Sequence, residues 1–117
     1  MSLVPGWYPL CALKELTSKP HSKSLGGVPL VLFLASSQPV VLWDRCPHRG
    51  VPLSQGWLED DSLVCPYHGW RFGVAGKCLE IPGRCQQKHR SAHDARALPV
   101  QISQGLVWVW FAGSFEQ

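Results

Sequence analysis

The residues best suited to chemistry lie in two short segments, Cys46-Pro47-His48-Arg49-Gly50 and Cys65-Pro66-Tyr67-His68-Gly69-Trp70, with residues 49–64 between the first histidine and the second cysteine. Each segment supplies one thiol and one imidazole, spaced Cys-x-His in the first and Cys-x-x-His in the second. Thiolates and imidazoles are soft or borderline ligands, and two of each suit zinc or an iron–sulfur centre. Zinc-finger spacing would pair cysteine with cysteine at C-x-x-C and place the histidines together further on. Two facing loops of the present kind can instead give one iron the thiolates of Cys46 and Cys65, and a second iron the imidazoles of His48 and His68. A zinc site built from the same four residues is the alternative.

The intervening residues suit ligand loops. The proline after each cysteine fixes the backbone as the chain turns. Gly50 and Gly69 follow closely on the histidines, and a missing side chain lets backbone N–H groups approach a bound group. Turn formation alone accounts for the glycines and prolines, but not for the paired cysteine and histidine.

The elements that must hold these loops read as all-β. Short apolar runs are broken by ten prolines and eleven glycines, the punctuation of strands and tight turns. Val28 to Leu34 reads as a strand that pairs with Val40–Trp43 across residues 36–39, and Pro29 suggests an edge position because it lacks an N–H. Residues 105–111 form another strand, in which Leu106, Trp108 and Trp110 alternate with Val107, Val109 and Phe111, so that both faces are expected to be covered. Ala95 to Ser103 is its expected hairpin partner. Ala12 to Leu16 supports a single helical turn at most. Residues 83–94 are polar and read as a long surface loop. No internal repeat is present, and residues 1–117 fit one domain.

Apolar residues at 45% against 16% charged argue against disorder. The net charge of +3 comes without a run of lysine or arginine, so a nucleic-acid partner is not expected. No stretch approaches the ~20 apolar residues needed to cross a bilayer, and the start lacks the layout of a signal peptide. Five cysteines, two of them beside histidines, point to metal binding in a reducing cytoplasm. Cys11, Cys78 and Cys85 read as small hydrophobes or loop thiols, with a Cys78–Cys85 disulfide disfavoured in that compartment.

The segment Trp43-Asp44-Arg45-Cys46-Pro47-His48-Arg49-Gly50, followed by Cys65-Pro66-Tyr67-His68-Gly69-Trp70-Arg71-Phe72, resembles the Rieske domain of ring-hydroxylating oxygenase α subunits. Trp7-Tyr8-Pro9, Ile81-Pro82 and Gly105 to Trp110 extend the likeness over nearly the whole chain. The resemblance implies stacked antiparallel sheets with two cluster-binding loops at one tip, and a [2Fe–2S] cluster on Cys46, His48, Cys65 and His68. It implies one-electron transfer from a reductase or ferredoxin to a non-haem iron oxygenase centre. A redox-sensing, partner-binding module is the alternative. Each ligand histidine is expected to leave its second ring nitrogen facing outwards.

Rieske potentials span about −150 to +300 mV. Respiratory Rieske proteins carry a further cysteine in each loop and hydroxyl donors from a serine and a tyrosine; Val51, Tyr67, Trp70 and Phe72 stand at those positions here. Without the hydroxyls to stabilise added negative charge on the sulfurs, the potential should lie in the lower half of that range, which a redox titration checks. An oxygenase centre also needs two histidines and a carboxylate. Only His89, His93 and Asp94 form such a group, because His21 stands alone, and a solvated loop is the preferred reading of their segment. The chain is therefore expected to be either the Rieske part of an oxygenase or a free-standing electron carrier.

Overall fold

The computed structural model describes residues 4–47, 50–66, 69–73, 76–80 and 94–112. Its centre is a strand read directly from the sequence, β3 (Val28–Ala35), between β2 (His21–Leu25) and β4 (Gln38–Trp43) in an antiparallel sheet. Alternation sends Val31, Phe33 and Ala35 to one side of β3, and Leu30 and Leu32 to the other. All five are buried, so this is a middle sheet covered on both faces.

A four-stranded sheet of β5 (Trp57–Glu59), β6 (Ser62–Val64), β7 (Arg71–Phe72) and β8 (Cys78–Glu80) lies against the first side. Leu63 and Phe72, paired across β6 and β7, join Val31, Phe33, Val40 and Leu42 in one core that also takes in Cys46 and Cys65. The other side is covered by β1 (Gly6–Ala12), β10 (Leu106–Phe111) and β9 (Val100–Ser103), in that order. Here Val107, Val109 and Phe111 pack with Leu30, Leu32 and Val41. The all-β stacked-sheet architecture agrees with the sequence reading.

Two strand expectations need correction. β3 is the centre of its sheet, not an edge. Pro29 sits at the second residue of β3, close to the strand start, and its carbonyl accepts the Asp44 N–H at 2.9 Å. Conversely, only one face of β10, that of Val107, Val109 and Phe111, is buried. Its outer row is part-exposed, with Trp110 at 39% and its cross-strand partner Trp7 at 41%. The two rings meet edge to face at 5.8 Å rather than under a further layer. The single turn near Ala12 is a 3-10 turn over Leu13–Glu15, with the Glu15 carboxylate accepting the Ala12 N–H at 2.9 Å. Of the segment Ala95 to Ser103, only its end forms β9; Ala97 bridges to Leu42, and Leu98 N–H bonds to Val41 C=O, along the edge of β4.

Gly26-Gly27, Ser36-Ser37, Asp60-Asp61 and Gln104-Gly105 each place two consecutive residues at positive φ, the two-residue hairpin turn whose twist matches the strands. The β3–β4 reversal is therefore shorter than expected, with Gln38 and Pro39 already paired. The Ser36 hydroxyl donates to Asp61 Oδ2 at 3.0 Å, tying a turn of the middle sheet to one of the next. Bonds from Ser36 hold the Asp61 carboxyl below its ordinary range.

Cys11 lines the second core at 8% exposure. Burial, and secondarily the Glu15 carboxylate, pushes its thiol above the ordinary value of 9.0. A raised thiol favours the neutral form in the folded state. Its stabilising contribution is therefore complete below 9.0 and lost as the pH rises through the higher folded value. Alkylation of native Cys11 at pH 8 should accordingly be much slower than in the denatured chain, as followed by mass spectrometry.

Candidate metal centre

β4 ends at Trp43 and delivers Cys46; β6 ends at Val64 and delivers Cys65. The two loops that follow share one backbone pattern. In the first, Cys46 N–H donates to Val51 C=O at 2.8 Å, and Gly50 N–H donates to Cys46 C=O at 2.7 Å. In the second, Cys65 N–H donates to Trp70 C=O at 2.8 Å, and Gly69 N–H donates to Cys65 C=O at 3.1 Å. Gly50 and Gly69 adopt φ of 72° and 73°, a conformation that glycine enters without strain. The glycines thus close the two loops, which adds a specific reason for their presence.

Both cysteines are at 0% exposure and belong to the same core cluster, whereas Pro47 and Pro66, one residue on, are exposed. Each loop thus carries its thiol inward and its next residue outward. Two thiols brought from different sheets into one interior are a donor set that fits a thiolate-bound iron–sulfur group. His48 and His68 lie outside the described residues. Trp70 is 6% exposed, and its ring lies 6.4 Å from that of Phe72. It packs in the same core cluster as the two cysteines.

Several supporting residues had no assigned role in the sequence. Asp44 is 8% exposed, and its Oδ1 accepts the Ser54 N–H at 2.7 Å while its Oδ2 accepts the Ser54 hydroxyl at 2.6 Å. Asp44 precedes the first loop and Ser54 follows it, so this pair braces the loop across its base. Charge-assisted bonds of this kind are among the stronger ones. Asp44→Ala should destabilise the fold by about 2–3 kcal/mol, since it also strands the Ser54 N–H. Urea denaturation measures this, and Asp44→Asn should recover part of the loss.

Gly56 makes the joint between the loops. A Cβ there would lie 1.8 Å from Val64 C=O, immediately before Cys65, so the exit of the first loop rests directly on the entry to the second. Arg71 pairs with Glu59, donates to Ser62 Oγ at 3.4 Å, and holds the Glu59 carboxyl below its ordinary range.

Asp94, grouped by sequence with His89 and His93, accepts the Cys78 N–H through Oδ1 at 2.7 Å. It anchors the chain to β8. His89, His93, Cys85 and the rest of residues 81–93 lie outside the described residues, so the surface-loop, metal and disulfide expectations there do as well. Among the described residues no group of three or more histidine, cysteine or acidic side chains could hold a metal ion. Among the same residues, no helix is long and apolar enough to cross a membrane.

Comparison with known proteins agrees with this arrangement. Residues 6–99 match the profile of the Rieske [2Fe-2S] domain. The vanillate O-demethylase oxygenase subunit of a Pseudomonas species is 34% identical over 105 residues, covering 89% of this chain and 29% of the relative. The chloroplastic pheophorbide a oxygenase of Arabidopsis thaliana is 37% identical over 118 residues, covering 89% and 21%. Apo dicamba monooxygenase superposes with a TM-score of 0.83 at 34% identity, covering 90% of this chain and 33% of the other. The chain therefore spans about a fifth to a third of the length of these relatives.

Proposed function

Because the chain belongs to the Rieske [2Fe–2S] domain family, we propose that it is a one-electron carrier, taking electrons from a reductase or ferredoxin and passing them to a non-haem iron oxygenase centre. The cofactor of the family is a Rieske-type [2Fe–2S] cluster, which when bound supplies a reversible one-electron change. Cys46 and Cys65 would hold one iron of that cluster, and His48 and His68 the other. Residues 1–117 act as one domain.

The observation that carries this reading is the pair of hydrogen-bond-matched loops, each burying one cysteine in a shared core. A rigid frame keeps the ligand positions similar in both oxidation states, which electron transfer favours. The likeness to oxygenase subunits supports an oxygenase acceptor, and the relatives' additional length would house it. The cysteine pattern favours a reducing compartment such as the cytoplasm, while the plastid relative widens the choice.

The test is a redox titration of the purified protein from neutral to strongly alkaline pH. An imidazole on iron keeps a second N–H whose acidity depends on the iron charge. The potential should be level near neutrality and fall at higher pH. A potential flat throughout would overturn imidazole ligation by His48 and His68.

A further inference from the structure

The two ligand loops match in their backbone bonds but differ in the residue just before the cysteine. In the second loop that residue is Val64, buried at 3%. In the first it is Arg45, exposed to solvent. Arg45 is nonetheless not loose. Its N–H bonds back to Trp43 C=O at 2.7 Å, a tight reversal that brings the side chain beside Trp43. The guanidinium carbon then lies 5.3 Å from the centre of the Trp43 ring, within cation–π range. The Gly50 backbone also lies close to it: a Cβ on Gly50 would meet Arg45 Nε at 3.0 Å. Among the described residues no ion pair involves Arg45.

We propose that Arg45 is a positioning residue of the first ligand loop, its guanidinium held close to both the Trp43 ring and the Gly50 backbone as a clamp, and a fixed positive charge on the residue before Cys46. The inference rests on Cys46 being a cluster ligand. Reduction adds a negative charge to whatever the loop holds, so a nearby cation favours the reduced state. The planar guanidinium can also spread over the ring while reaching the glycine backbone, which a compact ammonium does less well. Charge and shape therefore make separable contributions.

The experiment compares the full chain, purified with its cluster, as wild type, Arg45→Gln and Arg45→Lys. Redox titrations at low and high salt read the charge. Arg45→Gln should shift the reduced-to-oxidised ratio at fixed ambient potential several-fold towards oxidised; a full tenfold would equal about 59 mV for one electron. Arg45→Lys should restore most of that shift, and salt should narrow the gap because the site is exposed. Coincident curves for wild type and Arg45→Gln overturn the charge assignment, as does an Arg45→Lys variant that behaves like Arg45→Gln. Loss of visible absorbance in excess chelator reads the clamp. Both variants should bleach several-fold faster than wild type, and unchanged rates overturn that half of the proposal. A wild-type protein without Rieske absorbance would overturn the ligand reading itself, an outcome distinct from any difference among the variants.

Discussion

Replacing Cys65 with alanine is expected to remove the iron from the purified protein almost completely, with Cys46→Ala giving the same result. In the proposed ligand set, each substitution deletes one of the two thiolates that, with two imidazoles, would complete the coordination of two irons. Neighbouring groups offer little substitution, because both cysteines are at 0% exposure in a core of Val31, Phe33, Leu63 and Phe72. The hydrogen bonds that shape each loop run through backbone groups, so alanine leaves them in place and the β-sheet content should survive. Cys11→Ala, on the far side of the middle sheet, should retain wild-type iron. Iron analysis per chain beside far-ultraviolet circular dichroism separates loss of ligation from loss of fold. A Cys65→Ala protein with wild-type iron would show that the thiolate assignment is wrong. Because a bound group stabilises the state that binds it, the iron-free variants should also melt at lower temperature than the loaded protein.

How much of this was legible in the sequence depends on the kind of signal. The ligand loops stood out because paired cysteine and histidine at short spacing have few structural explanations, and the two cysteines do share one interior. Strand positions were legible because Val28 to Leu34 is a short apolar run bounded by turn residues, and residues 105–111 are rich in β-branched and aromatic residues. Layering was not. A strand such as β10, apolar at every position, looks covered on both faces, yet an outer row of tryptophans satisfies much of its own apolar surface by ring contact, as Trp7 and Trp110 do. Pro29 signalled an edge but sits near the end of a central strand, where the missing N–H matters less. The supports of the site, Asp44, Ser54, Gly56 and Asp94, were illegible for another reason. Each is a common loop residue, and only the folded chain shows that Asp44 reaches Ser54 across the first loop or that Asp94 reaches Cys78.

The layering leads to the second large effect. Phe33 is at 0% exposure at the centre of β3, on the side that faces the cysteines, and Phe33→Ala should destabilise the protein by about 3–5 kcal/mol. Against a total stability of roughly 5–15 kcal/mol for a domain, that is a large fraction. Its neighbour Leu32, also at 0%, faces the opposite core, and Leu32→Ala should lose about 2–5 kcal/mol. Trp110→Ala, at a site 39% exposed, retains solvent contact in the folded state and should lose clearly less than either. Urea denaturation of the loaded protein, followed by fluorescence and by visible absorbance, measures all three. Because one β3 backbone carries side chains into both cores, the two probes should trace a single transition, shifted to lower urea by Phe33→Ala and Leu32→Ala alike. If Leu32→Ala shifted the fluorescence transition and left the visible one in place, the cysteine-bearing core would be stable without the β1–β10–β9 sheet, and the middle sheet would not couple the two.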